Sequence, residues 1–179
     1  MTPHTSWLQR RRLLWPFLLV LALAAGVAVG LWRLSPEPAP RADWFFLLEA
    51  PSSAGEVEPL AKHRGRLTVV NFWATWCPPC IEEMPELSQF HADLAASGVK
   101  VIGIAVDSPS AVRAFLAERP VQYPSFTMGA SGSELARRLG APADALPYTV
   151  LMTETGEIAR QKMGKITGEE LKTWVKELR

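Results

Sequence analysis

Apolar residues in this chain gather into a few runs separated by polar stretches, and the spacing within each run differs. Leu13 to Trp32 carries no charge at all and is about the length that a helix needs to cross a bilayer. Leu67-Thr68-Val69-Val70-Asn71-Phe72-Trp73 and Val99 to Val106 are short and nearly continuously apolar, which predicts strands buried on both faces. Tyr148 to Met152 predicts a third such strand. Between the first two, Ile81, Met84, Leu87, Phe90 and Leu94 recur at helical spacing, predicting a helix from about Cys77 to Ala96 with Pro85 as a kink. Strand, helix, strand implies a parallel crossover.

Weaker patterns fill in the rest. Trp44 to Leu48 predicts a first strand, Ser52 to Gly55 a turn, and Val57 to Leu60 a short returning strand. Ser108 caps a helix with Pro109 at its first position and Val112, Phe115 and Leu116 on its inner face. Tyr123 to Met128 predicts a short strand. Ser131 and Glu134 have capping-box spacing before a helix that stops at Gly140. Ile158 to Met163 alternates like an edge strand after the turn Glu154–Glu157. Thr167 and Glu170 open a last helix with Leu171, Trp174, Val175 and Leu178 on one face.

The segments divide the chain into an N-terminus over residues 1–12, a membrane anchor over 13–32, a tether over 33–43 and one domain over 44–179. Arg10, Arg11 and Arg12 precede the anchor and should stay cytoplasmic, sending the domain across the membrane. Trp15 and Trp32 mark its two ends. A cleaved signal peptide has a shorter apolar core and small residues at its exit; Gly30-Leu31-Trp32 fits that poorly, so an uncleaved single-pass anchor is favoured. Pro36, Pro38 and Pro40 predict an extended tether with a reach of about 30 Å. The net charge of +1 gives no reason to expect a nucleic-acid partner.

Chemistry enters with Trp76-Cys77-Pro78-Pro79-Cys80, which holds both cysteines of the chain. The motif follows the first buried strand and opens the next helix. Cys77 would therefore sit at a helix N-terminus, where the dipole and free N–H groups favour a thiolate. Cys80 would lie one turn in, close enough to form a disulfide. This is the layout of a dithiol–disulfide exchange site. A closed zinc site needs more ligands than two cysteines, and His4, His63 and His91 lack ligand spacing. No bound cofactor or metal is expected beyond the cysteine pair itself. Two buried, inert cysteines remain an alternative, but the prolines between them suggest a shaped turn.

Asn71-Phe72-Trp73-Ala74-Thr75-Trp76-Cys77-Pro78-Pro79-Cys80, Glu83, Pro85 and Leu146-Pro147-Tyr148-Thr149 together resemble the thioredoxin fold. More closely, they are similar to the TlpA–ResA–DsbE group of membrane-anchored, extracytoplasmic thiol–disulfide oxidoreductases. The resemblance covers about residues 44–179 and includes that group's extra helix and strand between Asp107 and Met128. It implies an α/β domain with a central mixed sheet flanked by helices, behind the anchor in a bacterial inner membrane, on the periplasmic side. It implies Cys77 as the attacking and Cys80 as the resolving cysteine. Pro147 matches a cis-proline; the residues alone would also allow an ordinary trans turn. Leu146 would then pair with an extended client, with Trp76, Pro78 and Pro79 as further contact surface. Thioredoxin has a buried aspartate where this chain has Asn71, which cannot titrate, so Glu83 is the candidate proton relay for Cys80.

The implied partners are protein disulfides, with cysteine pairs of haem- or copper-binding proteins as clients in cytochrome c or copper-protein maturation. An integral-membrane thiol carrier would donate electrons. Two other readings compete: a copper(I)-handling module, since thiolates suit that ion, and a thioredoxin-like peroxidase, whose proline–threonine–cysteine setting is not found.

Overall fold

The computed structural model describes residues 20–30, 33, 40–142 and 145–178. Residues 20–30 form a helix, α1. The remainder of the predicted anchor and most of the predicted tether lie outside the described residues. Among the described residues, no helix is long and apolar enough to cross a membrane.

From residue 40 onward the chain builds a five-stranded mixed sheet with the order β5-β4-β3-β6-β7. The strands are β3 (Leu67–Trp73), β4 (Val99–Ala105), β5 (Ser125–Thr127), β6 (Tyr148–Thr153) and β7 (Ile158–Met163). A separate hairpin pairs β1 (Glu49–Pro51) with β2 (Val57–Pro59). β3 lies at the centre, parallel to β4 and antiparallel to β6. All seven of its residues are buried, as its unbroken apolar run predicts for a strand covered on both faces.

Side chains alternate across the sheet, so each face has its own core. Val70, Phe72, Ile102, Ile104 and Val150 pack against Phe45 and Phe46 and against Leu135 and Leu139 near α4 (Ala130–Arg138). On the other face Val69, Val101 and Leu151 meet Leu87 and Phe90 of α2 (Pro78–Leu94) and Leu171 and Val175 of α5 (Gly168–Glu177). A third cluster lies at the C-terminal end of β3, where Trp73, Ala105 and Met84 join Val112 of α3 (Pro109–Glu118) and both cysteines. Ser108 caps α3 by accepting from the Ala111 amide. Thr167 and Glu170 close a full capping box on α5, worth about 1 kcal/mol.

Three expectations need correction. Asp43–Leu47 is a 3-10 helix, not a strand. Phe45 and Phe46 are both buried in the same cluster, with rings 5.3 Å apart, while Leu47 is exposed. A strand would send those neighbouring rings to opposite faces; a tight helical turn lets both point inward. Ser131 and Glu134 form no capping box. The helix begins two residues earlier than that box implies, at Ala130, with Gly129 (φ +50°) as its N-cap, and Glu134 pairs with Arg137 instead.

The third correction concerns residues 40–43, which are packed on the domain rather than free as tether. The Ile158 amide donates to the Pro40 carbonyl (2.9 Å) and the Ala42 amide to the Gly156 carbonyl (2.7 Å), and Ala42 is buried. Gly156 makes this possible. It has φ +79°, and a Cβ there would stand 2.4 Å from Asp43 Cα. Gly156→Ala should therefore cost about 2 kcal/mol or more. Urea unfolding should show a lower midpoint at unchanged slope; an unaltered midpoint would mean that residues 40–43 do not depend on this contact.

Candidate active site

β3 ends at Trp73, and a short turn brings the chain to the start of α2. The Cys77 amide donates to the Ala74 carbonyl (3.2 Å), closing that turn. Cys77 is the N-cap of α2, and Pro78 and Pro79 occupy its first helical positions. There their fixed φ suits a helix and their missing N–H groups break no helical bond. Cys77 and Cys80 form a disulfide, with Cα atoms 5.3 Å apart. The sequence places Cys77 at an exposed helix start, but it is only 4% exposed, and Cys80 is fully buried among Trp73, Ala105 and Val112. What solvent meets at this end is Trp76, 65% exposed, with Pro78 and Pro79 beside it.

The Leu146–Pro147 peptide bond is cis. Leu146 packs against the cluster containing both cysteines, so the structure brings this segment to the disulfide. Trp76 and Leu146 also line an apolar cleft of about 230 Å³ with Val106, Ala136, Ala141 and Pro142. An exposed indole, a cis-proline segment and an apolar cleft form a surface on which an extended polypeptide can lie beside the sulfurs.

Glu83 lies one turn beyond Cys80 and is completely buried. Asn71 Nδ2 donates to its Oε1 (2.7 Å), and the Ile166 amide donates to its Oε2 (2.7 Å). Burial pushes the Glu83 carboxyl up to about 7, against the Ile166 and Asn71 hydrogen bonds and the charges of Lys165 and Lys162, which pull it down. Its neighbours on α2 face outward: Glu82 pairs with Lys165 (3.0 Å), and Glu86 accepts from the Gly168 amide (2.8 Å). Three carboxylates of α2, Glu82, Glu83 and Glu86, thus hold the turn that leads into α5.

Sequence reasoning singled out Glu83 and noted Asn71 only for what it lacks. It missed Thr149, whose Oγ1 accepts from Asn71 Nδ2 (3.1 Å), and the Ile166 amide. A signal existed for the first: Asn71 and Thr149 are polar residues inside apolar runs, and they sit opposite each other in register. The backbone donor left none. Also missed was Asp107, which accepts from both the amide (3.1 Å) and the hydroxyl of Thr75. Burial pushes its carboxyl up, but those bonds and one from the Ser108 amide outweigh it and leave it below the usual aspartate range. This pins the turn before Trp76 to the end of β4. Among the described residues, no cluster of three or more histidine, cysteine or acidic side chains could hold a metal ion.

The sequence profile of the AhpC/TSA family matches residues 43–161. The chain belongs to this family. Within it, the chain is 29% identical over 119 residues to sporulation thiol-disulfide oxidoreductase A of Bacillus subtilis, covering 64% of this chain and 70% of that protein. It is 24% identical over 185 aligned positions to thiol-disulfide oxidoreductase ResA of Bacillus thuringiensis subsp. konkukian, covering 96% and 99%. Among solved structures, StoA from Bacillus subtilis superposes with a TM-score of 0.60 at 27% identity, over 77% of this chain and 99% of that one. A thioredoxin-family thiol:disulfide interchange protein from Chlorobium tepidum gives 0.65 at 24%, over 79% and 95%, which speaks for the fold. This member of the AhpC/TSA family thus has a thioredoxin-like α/β domain with a redox-competent cysteine pair at its helix start.

Glu83 binds a proton more tightly in the folded chain than in the unfolded one. Its contribution to stability is therefore present below about pH 4.5 and is lost as pH rises through about 7. The loss amounts to about 3 kcal/mol. Glu83→Gln should flatten this part of the stability curve in denaturant titrations from pH 5 to pH 8. An equally steep fall in the variant would assign the pH dependence to another group.

Proposed function

We propose that this protein reduces disulfide bonds in client proteins, exchanging them with the Cys77–Cys80 pair. The observation that carries this reading is a disulfide at the N-terminus of α2 with a buried carboxylate one turn behind it. In the reduced enzyme the Cys77 thiolate attacks a client disulfide. One Cys77–client S–S bond forms, and the client's other sulfur leaves as a thiolate. Glu83 then takes the proton from the Cys80 thiol, and the Cys80 sulfur attacks Cys77. The Cys77–client bond breaks, the client leaves fully reduced, and the enzyme is left with its internal disulfide. The client gains two electrons and the enzyme loses two, so a thiol donor must restore the pair. A carboxyl near 7 suits this role, because it can both accept and release a proton near neutral pH.

One feature of the helix start favours the reducing direction. Pro78 and Pro79 withhold N–H groups that would otherwise stabilise a Cys77 thiolate. A less stabilised thiolate gives a less oxidising disulfide. The names of the relatives, thiol-disulfide oxidoreductases, support the same chemistry. The uncharged stretch over residues 13–32 behind Arg10–Arg12 supports a single-pass anchor in a bacterial inner membrane, with the domain outside the cytoplasm. There the donor would be an integral-membrane thiol carrier. The clients would be cysteine pairs that must be reduced before haem or copper is loaded.

Cys80→Ser should halt the reaction at the mixed disulfide. Expressed in cells, it should capture haem- or copper-binding proteins through Cys77; indiscriminate capture of secreted proteins would point to a general oxidase or isomerase. The isolated domain should equilibrate nearer the thioredoxin potential of about −270 mV than the DsbA value of about −120 mV. In Glu83→Gln, exchange should slow about tenfold or more and lose the inflection near pH 7. An unchanged pH–rate curve would remove Glu83 from the mechanism.

A further inference from the structure

Asn71 stands in the middle of β3, fully buried, on the face covered by α2. Its NH2 group is doubly engaged, to Glu83 Oε1 (2.7 Å) and Thr149 Oγ1 (3.1 Å). Its Oδ1 is buried and has no partner. An unpartnered buried carbonyl is unfavourable, and such groups are rare enough to need a reason. The unpartnered atom is the oxygen only while Glu83 is ionised; a half-turn of the amide exchanges which end of Asn71 goes unpaired. With Glu83 ionised, Oε1 wants a donor, and the Asn71 NH2 supplies it. With Glu83 protonated on that oxygen, its O–H needs an acceptor, and an NH2 facing it would be donor against donor. Oε2 offers no escape, because it accepts from the Ile166 amide.

We infer that Asn71 is a positioning residue that serves both states of Glu83, its NH2 binding the carboxylate and its Oδ1, after a half-turn of the amide, binding the carboxylic acid. The two ends of an amide are nearly equal in size, so the turn needs no new space. Thr149 can follow it. A hydroxyl both accepts and donates, so Thr149 Oγ1 accepts from Nδ2 in the first state and donates to Oδ1 in the second. The oxygen without a partner in one state is the acceptor that the other state requires. An aspartate at this position could not do this, because two acids would share the site and compete for one proton.

The charged groups around Glu83 have fixed engagements, whereas the buried Tyr123 hydroxyl has no hydrogen-bond partner among the described residues. Lys165, before α5, pairs with Glu82 of α2, and Lys162 of β7 pairs with Glu170 of α5. Glu86 holds the Gly168 amide. The buried Tyr123 phenol is kept neutral by desolvation and by the Glu83 charge. Cys80 lies one turn away on α2 and is the proton's source in the reaction proposed above, on which this inference rests.

The test follows the Glu83 side-chain carboxyl by carbon NMR across pH in the oxidised full-length protein, with the Asn71 side-chain amide as a second reporter. The Asn71 NH2 signals should move in the same step as Glu83, and become independent of pH in Glu83→Gln. Asn71→Leu removes the donor of the ionised state and the acceptor of the acid state; the charge-assisted bond is the stronger, so the Glu83 inflection should rise by about half a pH unit or more, roughly a threefold change. Asn71→Asp keeps the shape and should split the titration into two steps, one on each side of the original. A Glu83 inflection unmoved in both variants, or an Asn71 amide blind to pH in the native chain, would overturn the inference. The rate profile separates the two readings. If Glu83 moves in Asn71→Leu while the pH dependence of exchange stays in place, the Asn71 role holds and the proton role of Glu83 fails.

Discussion

β3 has no residue open to solvent, and both of its edges are occupied. β4 pairs with one edge and β6 with the other over nearly its whole length. Because side chains alternate, a slip of one residue would exchange the two faces. Phe72 would then lie under α2, and Asn71 would enter the apolar layer with Phe45 and Phe46. That penalty fixes the register. The register in turn fixes where the strand stops, and so where Cys77 begins its helix. The same alternation puts Asn71 directly beneath Glu83. The reactive pair and its carboxylate are thus placed by one buried strand, although none of the three is part of it.

Burying Glu83 opposes folding at neutral pH, yet the chain keeps it where a leucine would pack. Two short hydrogen bonds offset part of the desolvation, one from the sheet and one from the entrance to α5. The remainder is what leaves the group poised to exchange a proton near neutrality. Those two bonds also join three elements, α2, β3 and the turn before α5, through one side chain. A change of charge at Glu83 is therefore felt on both sides of the active-site helix.

Much of this was legible in the sequence, because the strong signals are local. The continuous apolar runs marked β3, β4 and β6. The caps at Ser108 and Thr167 marked two helix starts, and the cysteine spacing marked the site. Errors arose where tertiary packing overrode local pattern. Phe45 and Phe46 look like strand residues but turn inward together because one cluster takes both rings. Ser131 and Glu134 have the right spacing for a cap, but Gly129 starts the helix before them. The contact of Glu83 with the Ile166 amide joins residues 83 positions apart through a backbone group, and side-chain identity gives no hint of it. Asn71 and Thr149 were readable as polar interruptions; their joint purpose needed the register.

The docking of residues 40–43 has a geometric consequence. They bind the turn between β6 and β7, and β6 runs antiparallel to β3, with Thr153 opposite Leu67 and Tyr148 opposite Phe72. That turn therefore lies at the pole of the sheet away from the cysteines, about 20 Å distant for a strand of this length. Residues 40–43 lie with it, at the pole of the sheet opposite the sulfurs. A client that meets the sulfurs at their own pole therefore does not have to cross residues 40–43.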